Sequence, residues 1–177
     1  IEGVALSKNG ISLLSSSRTT ITGNSISGGS ISLSKFTSST EGNSDILISN
    51  NNIVDGTGIG VEVSAAVNVT VSGNSIMRSQ VYCGVGISVY ISSNVTLSNN
   101  SVSFHPEGIF VGVGDSSRVS VSGNHITNTR VAIRGGGGVR IADNEISNNE
   151  IGISAGDGVS VTGNTISNNG QGVMISG

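Results

Sequence analysis

Seven segments of this sequence align with one another without a gap, and each carries an asparagine at the same place. Each segment is a variant of the pattern V-x-V-S-G-N-x-I, and the shared asparagines are Asn24, Asn51, Asn74, Asn100, Asn124, Asn144 and Asn164. Successive asparagines are separated along the chain by 27, 23, 26, 24, 20 and 20 residues. The shortest separation, which occurs twice, defines the basic unit, and the longer units carry insertions. Repeats of this length are typical of solenoids, in which each unit forms one coil.

A second motif, two apolar residues separated by one residue, lies between successive asparagines. It occurs at Ile11/Leu13, Ile31/Leu33, Ile59/Val61, Ile87/Val89, Ile109/Val111, Val131/Ile133, Ile151/Ile153 and Val173/Ile175. Each unit therefore has at least two short strands, joined by too little chain for a helix. Ile and Val occur 21 times each against 6 Leu, which also favours strands. We predict an all-β chain in which residues 1–177 form one parallel β-helix of about seven to eight coils.

The shared asparagines are expected to form a ladder. An apolar residue three positions before each one is predicted to point inward, in the column Ile21, Ile48, Val71, Leu97, Val121, Ile141 and Val161. Each asparagine then lies at a bend, where its amide can hydrogen-bond to its copies in the adjacent coils. The residue before it is always Gly, Asn or Asp, the types that most easily adopt left-handed backbone geometry. This pattern predicts a tight corner with positive φ in every coil.

The repeated V-x-V-S-G-N-x-I motif, which covers nearly the whole chain, resembles that of the right-handed parallel β-helix proteins, which are similar to pectate lyases and to repeat domains described as carbohydrate-binding and sugar-hydrolase modules. The resemblance implies a secreted or cell-surface location and polysaccharide as the partner. Enzymes of this group place carboxylates and basic residues together on one strand face, a cluster that this sequence does not show.

Charge and composition exclude other classes of partner. Eight Lys and Arg against 11 Asp and Glu give a net charge of -3, without a basic cluster for nucleic acid. Every apolar stretch is interrupted well before the length of a membrane helix, so we expect no membrane insertion. The His, Cys and Met residues are scattered, so we expect neither a metal site nor a cofactor.

Candidate ligand-binding residues concentrate between positions 82 and 110. The distances from Asn74 to Ile87 and from Asn100 to Ile109 exceed the minimum, which predicts insertions at the same turn of adjacent coils. The candidates are Tyr82, Tyr90, His105, Glu107 and Phe110. Alternation predicts that Tyr90 and Phe110 point outward, where their rings would offer apolar faces to a sugar. Local packing of loops is the alternative explanation for this cluster.

The sequence leaves the function open between a structural or binding module and a carbohydrate-active enzyme. A polysaccharide lyase, epimerase or hydrolase would need acidic residues in one cleft, and the candidates are Glu62, Glu107 and Asp115. A third alternative is ice binding, because hydroxyl side chains face outward beside the ladder, although Leu47 and Arg140 interrupt them.

Both ends of the sequence have the pattern of a strand, without a polar cap. A solenoid needs polar caps, since its last coils otherwise expose apolar side chains and unpaired strand edges. We therefore expect either a segment of a larger protein or a subunit that stacks end to end into filaments.

Overall fold

Three parallel β-sheets wind around one core. The computed structural model describes residues 1–35, 42–56, 58–79, 84–112 and 116–176, and every regular element among them is a strand. Each coil passes through sheet B, then sheet C, then sheet A, and pairs with the next coil in parallel. Sheets B and C have eight strands each and sheet A has seven, which confirms the predicted β-helix.

Every third strand along the chain belongs to the same sheet. Sheet B comprises β1 (Ala5–Ser7), β4 (Ser25–Ser27), β7 (Asn52–Val54), β10 (Ser75–Met77), β13 (Ser101–Ser103), β16 (His125–Thr127), β19 (Glu145–Ser147) and β22 (Thr165–Ser167). Sheet C comprises β2 (Ile11–Leu14), β5 (Ile31–Ser34), β8 (Ile59–Ser64), β11 (Val85–Tyr90), β14 (Glu107–Val111), β17 (Val131–Gly135), β20 (Ile151–Ala155) and β23 (Gln171–Ile175). Sheet A comprises β3 (Ser17–Thr22), β6 (Asn43–Ser49), β9 (Ala66–Ser72), β12 (Ser93–Ser98), β15 (Ser117–Ser122), β18 (Arg140–Ala142) and β21 (Ser160–Thr162).

The core is a stack of β-branched side chains. The predicted inward column is fully buried from Ile21 to Ile141, whereas Val161 in the last coil is half-buried. Each sheet contributes such columns, so the apolar interior runs the length of the coil stack. No helix in the described part of the chain is long and apolar enough to cross a membrane.

The asparagine ladder forms at the corner between sheets A and B. In each rung the Asn Nδ2 group donates to the Oδ1 atom of the next asparagine, at 2.8 to 3.0 Å. The same Oδ1 atom also accepts the backbone N–H of the preceding asparagine, as from Asn100 to Asn124. The side chains from Asn24 to Asn144 are at most 1% exposed, so the ladder satisfies polar groups that water cannot reach.

Glycine alternates with a larger residue immediately before the ladder. These seven residues all have φ between 54° and 65°, which confirms the predicted corner; they are Gly23, Asn50, Gly73, Asn99, Gly123, Asp143 and Gly163. A Cβ atom on Gly123 would lie 2.6 Å from the Oδ1 atom of Asn99 in the preceding coil, and the same holds for Gly73 and Asn50. The side chain of one corner therefore occupies the space above the next glycine, which explains the alternation.

Replacing Gly123 tests this packing. We expect Gly123→Ala to lower the free energy of unfolding by about 2 kcal/mol, because positive φ strains alanine and its Cβ meets the Asn99 side chain. In an Asn99→Gly background only the φ strain remains, so the cost should fall to about 1 kcal/mol. Denaturant titration of the four proteins measures this coupling. An equal cost in both backgrounds would show that the side chain of Asn99 does not restrict position 123.

The other two corners carry shorter polar ladders that the sequence analysis missed. Between sheets B and C, the backbone N–H of Thr129 donates to Asn149 Oδ1, and that of Asn149 donates to Asn169 Oδ1. Between sheets C and A, the backbone N–H of Ser16 donates to Asn43 Oδ1, and that of Ala66 donates to Ser92 Oγ. The spacing offered a signal for the first of these, since Asn149 and Asn169 each lie five residues after a ladder asparagine.

The strand register corrects one predicted insertion. Ile87, Ile109 and Ile133 are partners in adjacent strands. Ile109 and Ile133 each lie equally far along the chain from the ladder asparagine that precedes them. Ile87 lies farther from its own preceding ladder asparagine. The segment before Ile109 therefore has the ordinary length, and the predicted insertion there is wrong. The error arose because Val131 was aligned with Ile109, whereas it pairs with Glu107.

Candidate functional site

The outer face of sheet C carries an aromatic pair. Strand alternation places Ile87, Val89, Ile109 and Val111 in the core, and the residues between and beyond them on the outside. Tyr90 is 51% exposed and Phe110 is half-buried, which confirms their predicted outward placement.

Gly112 allows the two rings to come together. A Cβ atom on Gly112 would lie 2.9 Å from Tyr90 Cδ2 and 3.6 Å from Phe110 Cε1. Both rings therefore border the space beside this glycine, where a side chain would displace Tyr90. The two rings, which come from adjacent coils, therefore lie close to the same glycine.

An arginine and a glutamate lie next to the aromatic pair. Arg134 is the register partner of Phe110 in the following strand. Its Nε and Nη2 atoms lie 2.9 Å and 2.8 Å from Oε1 of Glu107. The Nη2 atom of Arg130 lies 3.9 Å from the same oxygen. The Glu107 side chain is only 19% exposed, so this carboxylate anchors the guanidinium of Arg134 on the sheet surface.

A shallow groove of about 210 Å³ follows the aromatic pair along the coil axis. Its lining residues come from four consecutive coils and are Phe110, Val111, Arg134, Gly135, Gly136, Ser154, Ala155, Gly156 and Ser176. Three of them are glycines, so backbone groups form part of the wall. The groove therefore combines an aromatic edge, a guanidinium, a hydroxyl and peptide groups, a combination suited to a polar ligand with apolar faces.

His105 is separated from this surface. It lies at the corner between sheets B and C, five residues after Asn100, the position that Thr129 and Asn149 occupy in the next coils. The side chain is 2% exposed, and neither ring nitrogen has a hydrogen-bond partner. Burial, and to a smaller extent the charge of Arg78, together lower the pKa of His105 to about 4. The ring is therefore neutral at pH 7 and does not reach the outer face.

The remaining predicted residues have separate outcomes. Tyr82 and Asp115 lie outside the described residues. Glu62 lies on the outer face of sheet C, where its Oε2 accepts a hydrogen bond from Ser32 Oγ at 2.8 Å. The described part of the chain has no cluster of three or more His, Cys, Asp or Glu side chains that could hold a metal ion.

Sequence reasoning missed Arg134 and Ser154. The signal was available in the repeat, because Arg134 lies one basic unit before Ser154 and pairs with it in register. Aligning sheet C on its true column would have placed Arg134 beside Phe110 and Ser154 beside Arg134. Their shared position was hidden by the two-residue misalignment of Val131.

Comparison with known proteins establishes the family. Residues 1–116 and 82–177 match the model of the right handed beta helix region, so the chain belongs to this family of right-handed parallel β-helix proteins. No curated protein matches the chain.

Two solved structures are similar to parts or all of this chain. One is DFA-IIIase from Arthrobacter chlorophenolicus, at 16% identity and a TM-score of 0.40, with 85% of this chain and 37% of that chain covered. The other is the A-module of a mannuronan C-5 epimerase from Azotobacter vinelandii, at 12% identity and a TM-score of 0.34, with 100% of this chain and 78% of that chain covered. This chain thus spans little more than a third of the DFA-IIIase chain.

Proposed function

We propose that this chain is the carbohydrate-binding β-helix module of a secreted or cell-surface protein, and that it holds a polysaccharide against the outer face of sheet C. The observation that carries the proposal is the pair of outward rings, Tyr90 and Phe110, of which Phe110 lines the groove. A location outside the cell is part of the proposal, since polysaccharides are abundant there.

Aromatic rings and hydrogen-bonding groups complement the two kinds of surface on a sugar. A pyranose ring has apolar C–H faces, which pack on exposed aromatic rings, and a rim of hydroxyl groups. Tyr90 and Phe110 supply the apolar surface, while Arg134 and Ser154 supply polar side chains in the adjacent groove. Rigid strands carry all four side chains, so little conformational entropy would be lost on binding.

The groove could follow a linear chain. Consecutive coils of a parallel sheet are about 4.8 Å apart, and the lining residues span four coils. Gly135, Gly136 and Gly156 in the lining have no side chains, which would leave room for a polymer along the groove. These features support a polymer rather than an enclosed small molecule as the ligand.

The enzymatic alternative gains no specific support from the acidic side chains. Strand β11 separates Glu62 in β8 from Glu107 in β14, and the register places Glu62 level with Phe110, three residues beyond Glu107, so the two backbones are about 14 Å apart. Glu62 already interacts with Ser32, and Glu107 with Arg134. We therefore propose binding rather than catalysis for this face.

Glycan-array screening of the purified chain, followed by affinity measurements on its best ligand, tests the proposal. We expect Tyr90→Ala and Phe110→Ala each to weaken binding by about tenfold, because each removes one apolar contact surface. Leu47→Ala is the matched control, since Leu47 is an exposed apolar side chain, 37% accessible, in strand β6 of sheet A. Absence of any bound glycan, or unchanged affinity in both aromatic variants, would refute this function.

A further inference from the structure

We propose that the sheet C groove accepts neutral saccharides and discriminates against acidic ones. This inference rests on the proposed function and specifies its ligand class. It follows from the distribution of charge around Arg134, the one charged side chain among the described residues that line the groove.

The strands of sheet C provide no excess of positive charge. Along their full length, all of it within the described residues, these eight strands contain three charged residues: Glu62, Glu107 and Arg134. Their sum is one negative charge. An acidic polysaccharide would therefore meet no attractive field along this face, although long-range attraction is the usual means of binding a polyanion.

The charge of Arg134 is already compensated. Its Nε and Nη2 groups both donate to Oε1 of Glu107, at 2.9 and 2.8 Å. Glu107 is half as exposed as Arg134, 19% against 38% for the side chains, so the carboxylate is the less hydrated partner. A ligand carboxylate would have to share this guanidinium with Glu107 at close range, and two like charges near one cation repel each other.

The turns beside sheet C do not reverse this balance. Arg130 is the next cation, but its Nη2 atom also lies near Oε1 of Glu107, at 3.9 Å. Glu150 follows Arg130 in the next coil, where the backbone N–H of Ile151 donates to the Arg130 carbonyl. Asp157 lies at the turn that follows strand β20, with its carbonyl oxygen close to Gly137. Among the described residues of the coils that line the groove, sheet C and its adjoining turns thus hold two guanidinium groups and three carboxylates.

Arg134 can still bind hydroxyl groups. A guanidinium has five N–H donors, and the pair with Glu107 uses two of them. The remaining donors of Arg134 and the Ser154 hydroxyl match the hydroxyl groups of a neutral sugar. Glu107 is in this sense a positioning and specificity-determining residue, because it fixes the guanidinium and cancels its charge.

Affinity electrophoresis with immobilised polysaccharides tests this inference. Neutral probes are xylan, glucomannan and mixed-linkage β-glucan, and acidic probes are polygalacturonate, alginate and heparin. We expect the native chain to be retarded by at least one neutral polymer, to the same extent at low and high salt, and by no acidic polymer. Screening by salt would weaken an interaction that depended on net charge.

The Glu107→Gln variant is expected to gain binding to acidic polymers. Removing this carboxylate frees the charge of Arg134, so we expect the variant to gain retardation by an acidic polymer that does not retard the native chain, and this retardation to be abolished at high salt. Glu145→Gln is the control of equal charge, since Glu145 lies on sheet B and pairs with His125.

The outcomes separate the two proposals. Salt-sensitive binding of an acidic polymer by the native chain would overturn the neutral preference while leaving carbohydrate binding intact. An equal response of Glu107→Gln and Glu145→Gln would also overturn it. Absence of binding to both classes of polymer would overturn the proposed function itself, and this inference with it.

Discussion

Asn51→Ala is expected to lower the free energy of unfolding by about 3 kcal/mol. The Asn51 side chain is 1% exposed, and its Oδ1 atom accepts both the backbone N–H and the Nδ2 group of Asn24, at 3.0 and 2.8 Å. Its Nδ2 group donates to the Ile21 carbonyl and to Asn74 Oδ1. Alanine leaves these buried groups without partners, and each unmade hydrogen bond carries a desolvation cost.

The adjacent residue provides a matched control for this prediction. Asn52 is exposed on strand β7 of sheet B, next to Asn51 in the chain. Asn52→Ala removes the same atoms from the surface, so the free energy of unfolding should change by less than about 0.5 kcal/mol. Urea titration of the two variants compares them directly. Equal effects would contradict the stabilising role of the ladder.

Burial of His105 is expected to lower the free energy of unfolding at acid pH by about 3 kcal/mol. Its pKa is about 4 in the folded chain, because burial and then Arg78 disfavour the charged ring, against about 6.5 when unfolded. Between these two values the unfolded state binds a proton that the folded state does not. Stability is therefore highest above pH 6.5 and falls steadily as the pH is lowered towards 4.

The measurement is the free energy of unfolding as a function of pH in three proteins. His105→Asn should lose this part of the pH dependence, because it removes the titrating ring. Asparagine also occupies the equivalent position at Asn149 and Asn169, where its amide bonds to neighbouring coils. His125→Asn, which replaces the exposed histidine of sheet B, should keep the acid-sensitive step. Identical profiles for the native chain and His105→Asn would contradict the account.

The periodic parts of this molecule were predictable from the sequence. The ladder asparagines, the inward column from Ile21 to Ile141 and the positive φ before each rung recur in every coil, so each copy reinforces the interpretation of the others. The alternation of Asn99 with Gly123 is visible in the sequence, but its cause is a contact between coils that only the structure shows.

The candidate site was less predictable because it depends on register. Tyr90 and Phe110 were found, since strand alternation sets which side chains face outward. Arg134 was missed because a shift of two residues keeps the inward and outward pattern while changing the partner strand position. His105 was placed with the surface residues, whereas a corner between two sheets turns its side chain inward, where it occupies a ladder position.

The most direct test of a binding face on sheet C is to map the ligand on the backbone by nuclear magnetic resonance. The probe is a soluble oligosaccharide of the neutral polymer that binds most tightly in the electrophoresis series, titrated into the ¹⁵N-labelled chain. The account predicts that the amide shifts concentrate at Gly112, Gly135, Gly136 and Ser154, around the aromatic pair and the groove. Shifts confined to the outer faces of sheets A and B, with those four amides unchanged at saturation, would contradict it.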